Sequence, residues 1–464
     1  MMSMAVQGIK MLNSRIFREY DIRGIYGTDL TDEAAFIIGR AFAAYLRNNI
    51  NKKNINISVG RDVRLSSRSL KDYLVKGLTE SGINVVDVGE CPTPLQYYSI
   101  FRMDLDGGVM ITGSHNPPEY NGFKLSIGKQ TIHGEDIQEI KRIIEKGAFD
   151  NLNGHGLIKT FDVIEDYINL ILPKFQPFEG VRVVVDSGNG TAGLVAPRIM
   201  KLLGADVIEL YSEPDGRFPN HHPDPVVLEN IKDLRETVLR EKAHLGIGFD
   251  GDSDRLGVID ENGKPVWGDN LMIIFSQDIL KGNPGATIIG EVKCSQCLYD
   301  DIKRNGGRGI MWKTGHSLIK KKMKDEGAIL AGEMSGHLFF ADRYYGYDDA
   351  IYAALRLLEI IKKSGKPYGI RKLLKDVPEV VSTPEIRFDC PDEKKFAVVE
   401  KMKIAFKDYP NSTIDGIRIN FPEGWALIRA SNTQPALVMR FEADTQESLQ
   451  SIKKVVEEEL YKLR

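Results

Sequence analysis

A chain of 464 residues is too long for one hydrophobic core to organise, so three or four domains are expected. With 42% hydrophobic and 27% charged residues it has the make-up of ordinary globular proteins, which excludes wholesale disorder. Lys and Arg number 62 against 65 Asp and Glu, a formal charge of -3, so there is no basic excess to grip a nucleic acid and any anion recognition must be local.

The first residues, MMSMAVQGIKMLNSR, lack a sustained apolar stretch because Gln7, Gly8 and Lys10 interrupt it, and no secretory signal is expected. No run reaches the roughly 18 apolar residues of a spanning helix. A cytoplasmic protein without membrane or nucleic-acid partners is therefore expected. Further on, INISVG, SSRSLKDYLVKGLTESG, INVVDVG, PLQYYSIFRM and DGGVMITGS alternate short apolar runs with helix-like segments, the rhythm of buried, mostly parallel strands. The rhythm restarts at VRVVVDSGNG, followed by APRIMKLLG, DVIELY and LGIGFDGD. It restarts again at ATIIGEVK, followed by GIMWKTGHSLIKKKMKDEG and AILAGEMSGH. After about residue 378, IRINF, WALIRAS and ALVMRFEA read as strands joined by turns, and QESLQSIKKVVEEELYKL has helical periodicity. The pattern predicts α/β domains over 1–161, 162–264 and 265–377 and a smaller α+β domain over 378–464.

In open parallel sheets, ligands gather beyond the carboxyl ends of the strands, and four loops are placed there or resemble such loops. The first is TGSHNP after GGVMI, where Ser114, between Gly113 and Pro117, is expected to be displayed on a tight turn rather than buried. It suits a nucleophile, with His115 and Lys124 as nearby acid-base groups; alone, it suits a helix cap equally well. The second is Asp250-Gly251-Asp252-Ser253-Asp254-Arg255 after LGIGF. In an extended loop, three alternating carboxylates would point at one hard cation, with magnesium the best fit, and Arg255 would reach a phosphate beside it. An EF-hand loop counted from Asp250 fails at position six, where Arg255 stands in place of the required Gly, although Glu261 meets position twelve. A solvated acidic turn is the competing reading.

The third loop, GEMSGH, alternates Glu333, Ser335 and His337, three hydrogen-bonding groups of the kind sugar hydroxyls require, although a capped turn looks the same. The fourth, RASNTQP, joins an arginine fork at Arg429 to hydroxyls and turn amides, a phosphate cradle if not a plain hairpin. Together they suit phosphoryl transfer to and from a sugar. Two motifs point elsewhere. Cys294 and Cys297 form a CxxC with no second ligand pair, and four cysteines suit a reducing compartment. Gly188, Gly190 and Gly193 form GxGxxG after VRVVVD, a dinucleotide fingerprint that would suit an NAD-dependent oxidoreductase.

The four loops, in this order, together with FREYDIRG at 17–24 and GRD at 60–62, resemble the α-D-phosphohexomutase superfamily nearly end to end, particularly bacterial and archaeal phosphomannomutase/phosphoglucomutase. The resemblance implies three similar α/β mixed-sheet domains and a C-terminal α+β domain around a central active-site cleft. It implies a phosphoserine at Ser114, one Mg2+ held by Ser114, Asp250, Asp252 and Asp254, and a hexose 1,6-bisphosphate as intermediate and activator. Glu333 and Ser335 would read sugar hydroxyls, and Arg429, Ser431, Asn432 and Thr433 would hold the non-reacting phosphate. Tyr20, Arg23, Lys124, Arg255, Lys293, His316 and His337 would complete the cleft. Ser253 stands where the family often has glycine; it alternates away from the aspartates, so little effect on the metal is expected. The implied activity is a mutase acting on mannose or glucose phosphates, with glucosamine-phosphate mutase, a sugar-phosphate hydrolase and an inactive sugar-phosphate-binding protein as rivals. A monomer or weak homo-oligomer is expected.

Overall fold

The computed structural model describes residues 12–149, 154–432 and 435–463. Thr433 and the first eleven residues, on which the sequence places expectations, lie outside them. The chain up to Leu271 together with Ser335–Leu373 makes one compact unit; Met272–Met334 with Leu374–Arg464 makes a second. Four sheets give the mixed α/β architecture of four domains that the rhythm of the sequence predicts.

In the first unit, the leading sheet runs in the order Ile22–Ile25, Tyr120–Ile127, Gly107–Ile111, Asn56–Arg61, Asn84–Glu90, Ile158–Thr160. The strands Asn56–Arg61, Asn84–Glu90 and Gly107–Ile111 are parallel, joined by the helices Ser67–Glu80 and Thr93–Arg102. Gly107–Ile111 is buried along its whole length, as a strand covered on both faces must be, so its apolar run ends abruptly at the polar residues of the Ser114 loop. Tyr120–Ile127 returns antiparallel beside it and sets Lys124 opposite Met110. Ile22–Ile25 pairs with that strand in turn, Arg23 opposite Gly122. The mixed sheet thus brings three polar segments, far apart in sequence, to one edge of one apolar layer.

The second sheet of this unit has the order Pro265–Val266, Leu256–Asp260, Leu245–Phe249, Arg182–Asp186, Asp206–Leu210. Leu245–Phe249 runs parallel to Arg182–Asp186 and antiparallel to Leu256–Asp260, so Asp250–Arg255 is the turn of a hairpin at a parallel strand's carboxyl end.

In the second unit, Thr287–Glu291 lies between Arg308–Trp312 and Leu330–Gly332, all parallel. Loops beginning at Val292, Lys313 and Glu333 leave the same edge. The last domain is antiparallel, in the order Val381–Ser382, Ala436–Ala443, Gly424–Ala430, Ile417–Phe421, Asn411–Ser412, with Ile386–Asp389 also on Ala436–Ala443. Helix Gln446–Leu463 covers it with Leu449, Ile452, Val456 and Leu460, spaced as one face of a 3.6-residue period. Each such side chain contributes about 1.5–3 kcal/mol on full burial. No helix among the described residues is long and apolar enough to cross a membrane.

Candidate active site

Ser114 follows the buried strand Gly107–Ile111 and takes a left-handed backbone, φ 48°. Its amide donates to Thr112 Oγ1 at 2.8 Å. Contrary to the displayed serine expected from the sequence, it is 3% exposed. The Asp250–Arg255 turn covers it so closely that a Cβ on Gly251 would fall 2.6 Å from the Ser114 carbonyl oxygen. The Ser114 hydroxyl donates to Asp250 Oδ2 at 2.9 Å, and His115 Nδ1 lies 3.1 Å from Ser114 Oγ. Burial, with Arg255 and Arg23 nearby, pushes the His115 imidazole well below its usual range, so the ring is neutral.

One buried arginine shapes the loop. Arg64 donates to the carbonyls of Ser114 (2.7 Å), Asn116 (2.6 Å), Pro117 (2.5 Å) and Tyr120 (3.0 Å), and its Nε donates to Asp62 Oδ2 at 3.1 Å. Asp62 accepts the Gly113 amide at 3.1 Å. Arg23 Nη1 adds donations to the Gly113 carbonyl at 3.3 Å and to Asn116 Oδ1 at 3.0 Å. Arg64 and Asp62 follow the strand Asn56–Arg61, and the strand-end rule that picks out Ser114 was the signal available for them.

The three aspartates converge, by a different route from the extended loop expected. Asp250–Asp254 is a tight turn with Ser253 at φ 64°; it places one carboxylate oxygen of each aspartate within 4.8 Å of the others. All three are fully buried. Asp250 Oδ1 accepts the amides of Asp254 and Arg255, both at 3.1 Å. Lys124 Nζ donates to Asp252 Oδ2 at 2.7 Å and Asp254 Oδ2 at 2.5 Å, and Thr93 Oγ1 donates to Asp252 Oδ2 at 2.6 Å. Burial opposes the charge on Lys124, but Asp252 and Asp254 outweigh it and hold the ammonium well above its usual range. The same Lys124 draws Asp252 and Asp254 down against their burial. Asp250, without that contact, is driven well above the carboxylate range by burial and by its two acidic neighbours.

This donor set fits a hard dication. Asp252 Oδ1 is a fully buried carboxylate oxygen without a hydrogen-bond donor among the described residues, an expensive state in a protein interior. A divalent cation would satisfy it and remove the repulsion that raises Asp250.

His337 Nε2 lies 3.3 Å from Asp254 Oδ1 and accepts from Arg255 Nε at 3.4 Å, while Ser335 Oγ faces its Nδ1 at 3.3 Å. Fully buried Asp348 has a carboxylate oxygen within 4.8 Å of ligand atoms of the same His337 and Asp254. Tyr20 stands half-buried in the bend before Ile22–Ile25.

The second unit gathers the other predicted residues. Buried Glu333 accepts the Gly315 amide at 2.7 Å, and buried His316 opens the helix His316–Glu326. Lys293 Nζ donates to Glu385 at 3.2 Å and pulls that carboxyl down to about 2. Buried Arg429 ends an apolar strand and donates from Nε to Asp415 at 2.9 Å. Buried Lys395 holds the Ser431 carbonyl at 2.5 Å, and Asn432 is half-buried. Glu291 and Asp415, absent from the sequence expectations, are bonded to three and to two of these loops respectively. Glu333 thus belongs to one unit and Ser335 and His337 to the other.

The two decoys have plain explanations. A Cβ on Gly190 would lie 2.7 Å from the Gly251 carbonyl oxygen and one on Gly193 only 1.9 Å from that of Ser212, so protein backbone occupies the space in front of these glycines. Thr191 donates its amide to the Gly251 carbonyl at 3.1 Å, making the glycine loop a support for the aspartate turn. Cys91, Cys294, Cys297 and Cys390 are all free thiols.

Family models described as phosphoglucomutase/phosphomannomutase match the chain four times in series: alpha/beta/alpha domain I over residues 14–151, domain II over 165–263, domain III over 267–380 and the C-terminal domain over 385–459. The chain is 46% identical over 451 residues to a phosphomannomutase/phosphoglucomutase of Pseudomonas aeruginosa, spanning 97% of this chain and 96% of the relative. It is 45% identical to a phosphoglucomutase of Neisseria gonorrhoeae over 94% of this chain and 95% of that protein. A crystal structure of a phosphoglucomutase/phosphomannomutase family protein from Burkholderia thailandensis superposes with a TM-score of 0.91 at 39% identity, covering 98% of each chain.

Proposed function

The chain belongs to the phosphoglucomutase/phosphomannomutase family, and from that premise we propose that it interconverts hexose 1-phosphates and hexose 6-phosphates through a phosphoserine at Ser114. The observation that carries this is the Ser114 hydroxyl donating to Asp250 Oδ2 at 2.9 Å, beside a turn whose three aspartates each bring one oxygen within 4.8 Å of the others. A buried serine tied to the centre of a cation site is placed to exchange a phosphoryl group, and its burial keeps water from the ester.

Ser114, Asp250, Asp252 and Asp254 would hold one Mg2+. The ion supplies charge neutralisation for the transferring phosphoryl group and lowers the basicity of the seryl oxygen. The Arg429 loop, with Ser431, Asn432 and Thr433, holds the phosphate that does not react, and Glu333, Ser335, Lys293, His316 and Tyr20 bind the sugar. The 6-hydroxyl of a hexose 1-phosphate attacks the phosphorus, the bond to Ser114 Oγ breaks, and a hexose 1,6-bisphosphate forms. Arg255 steadies the moving charge. The hydroxyl proton passes to His337, which meets Asp254, while Lys124, held as an ammonium by Asp252 and Asp254, serves as a fixed positive charge rather than as the base. Neutral His115 orients the seryl oxygen, and Arg23 holds the loop. After the intermediate reorients, its 1-phosphoryl returns to Ser114 and hexose 6-phosphate departs. Glucose and mannose phosphates are the proposed substrates, the location is cytoplasmic, and the protein works as a monomer or weak homo-oligomer.

Phosphorus NMR tests the reading. Protein, Mg2+ and a trace of glucose 1,6-bisphosphate are expected to convert glucose 1-phosphate and mannose 1-phosphate to 6-phosphates, and Ser114→Ala to abolish turnover. Near-native turnover by that variant would overturn the phosphoserine. Faster use of glucosamine 1-phosphate would reassign the sugar, and inorganic phosphate released as fast as product would make the protein a hydrolase.

A further inference from the structure

We propose that Asp415 is a positioning residue that, through Thr314, keeps the hydroxyl-reading loops and the phosphate-holding loop of the second unit in one register. The inference rests on the roles proposed above for Glu333 and Arg429.

Three loops leave the carboxyl edge of the parallel strands, carrying Lys293, His316 and Glu333. Fully buried Glu291 ties them: Oε2 accepts the Lys293 amide and Thr314 Oγ1, both at 2.8 Å, and Oε1 accepts the Met334 amide at 3.2 Å. Thr314 has a second commitment. Its amide donates to Asp415 Oδ2 at 3.1 Å, and that same oxygen accepts Arg429 Nε at 2.9 Å. One threonine therefore links the carboxylate that organises the sugar loops to the carboxylate that orients the phosphate arginine.

The Asp415 turn is shaped for this contact. Gly416 has φ 75°, and a Cβ there would fall 2.2 Å from the Ile428 carbonyl oxygen and 2.7 Å from Arg429 Cα. Only glycine lets the turn lie against the Arg429 backbone. Holding a guanidinium at Nε fixes the plane of both Nη groups, and an arginine already fixed loses less side-chain freedom when it grips a phosphate. Asp415 should therefore act on substrate affinity more than on the chemical step.

The test measures KM and kcat of the full chain, loaded with Mg2+, on the hexose 1-phosphate it turns over, alongside melting temperature. Asp415→Ala is expected to raise KM on the order of tenfold, the effect of losing one hydrogen-bonded charge partner, with kcat within about threefold. Asp415→Asn, which keeps an acceptor oxygen and guards against misfolding, is expected to raise it less. Thr314→Val is expected to raise KM several-fold and Thr314→Ser to restore it. The Thr314→Val, Asp415→Ala double variant should fall short of the product of the single effects. Asp415→Ala in an Arg429→Ala background should add nothing further. A KM within twofold of wild type for Asp415→Ala, or a double variant equal to the product, overturns the positioning role while a raised KM in Arg429→Ala leaves the phosphate reading standing. An unchanged KM in Arg429→Ala overturns the phosphate reading itself.

Discussion

The hydroxyls of Thr191 and Ser253 lie 2.8 Å apart, both fully buried, and they join the glycine loop after Arg182–Asp186 to the aspartate turn. Ser253 sits at φ 64°, where a non-glycine residue costs about 1–2 kcal/mol. The hydroxyl pair offsets this by roughly 1 kcal/mol. Ser253→Gly should thus change stability by less than about 1 kcal/mol, because relieved strain and the lost bond nearly cancel. Thr191→Val should cost about 1–3 kcal/mol, because it leaves the Ser253 hydroxyl buried without this partner. Adding Ser253→Gly to Thr191→Val should recover about 1 kcal/mol or more. Urea unfolding of the four proteins measures this, and a neutral Thr191→Val would show that the pair holds nothing.

The glycine loop also marks where sequence reading stops. GxGxxG is legible as a tight strand-to-helix turn, but what faces Gly190 belongs to a hairpin some 60 residues on and what faces Gly193 is the Ser212 backbone, and no local pattern carries those pairings. The strands and helices were legible because period and polarity are local: Gln446–Leu463 is the helix that QESLQSIKKVVEEELYKL predicts. Tyr120–Ile127 was harder. Buried polar residues, Asn121, Lys124 and Ser126, interrupt its alternation, and of these Lys124 reaches the aspartates. Ser114 and the aspartates stood out by residue type, whereas Arg64, Thr93, Glu291 and Asp415 act by holding backbone or other side chains, which chemistry-based motifs do not mark.

Cation binding should release protons. Burial and two neighbouring carboxylates hold Asp250 well above the carboxylate range, so in the cation-free protein it keeps its proton to higher pH than an ordinary carboxylate, and a dication competes with that proton. A group whose folded pKa is raised loses its stabilising contribution as pH rises through that pKa, so Mg2+ should raise the melting temperature more at pH 8 than at pH 6. Calorimetric titration in buffers of different ionisation enthalpy should show proton release on Mg2+ binding. Asp250→Asn should abolish the release and weaken Mg2+ binding on the order of a hundredfold. Equal apparent enthalpies in all buffers would contradict this assignment.

His221 should titrate above an ordinary histidine. Its Nδ1 faces the His222 carbonyl at 2.9 Å and its Nε2 faces both Asp186 oxygens at 3.1 Å, so both ring nitrogens meet only acceptors. Burial works against the charge, but Asp186 prevails and raises the pKa. The contribution to stability is fully present below about 6.5, the unfolded value, and is lost as pH rises through the raised folded value. Histidine NMR titration should show a His221 midpoint above 6.5, and Asp186→Asn should bring its midpoint down. Urea midpoints of wild type should drop between pH 6 and pH 8 by more than those of His221→Gln. A His221 midpoint below 6.5 would refute the pairing.

Arg64 should matter to turnover without touching substrate. Its guanidinium serves four carbonyls of the serine loop and strand entry plus Asp62, and Phe218 stacks on it with the ring centre 5.1 Å away. Burial lowers its pKa, with Asp62 opposing, so its charge is retained only because the pocket is full of acceptors. Arg64→Ala strands those carbonyls and a buried Asp62, which should cost about 3–5 kcal/mol of stability. Arg64→Lys keeps the charge, but its single ammonium cannot span four acceptors, so it should still lose about 2 kcal/mol or more. The loop that carries Ser114 would then wander, and a displacement of about 1 Å is enough to lower turnover on the order of a hundredfold. Urea unfolding and kcat measured on Arg64→Lys separate the two effects in one protein: with substrate KM little changed, kcat should fall at temperatures well below its melting transition. Native kcat in that variant would mean that Arg23 and Asp62 hold the serine loop without the fork.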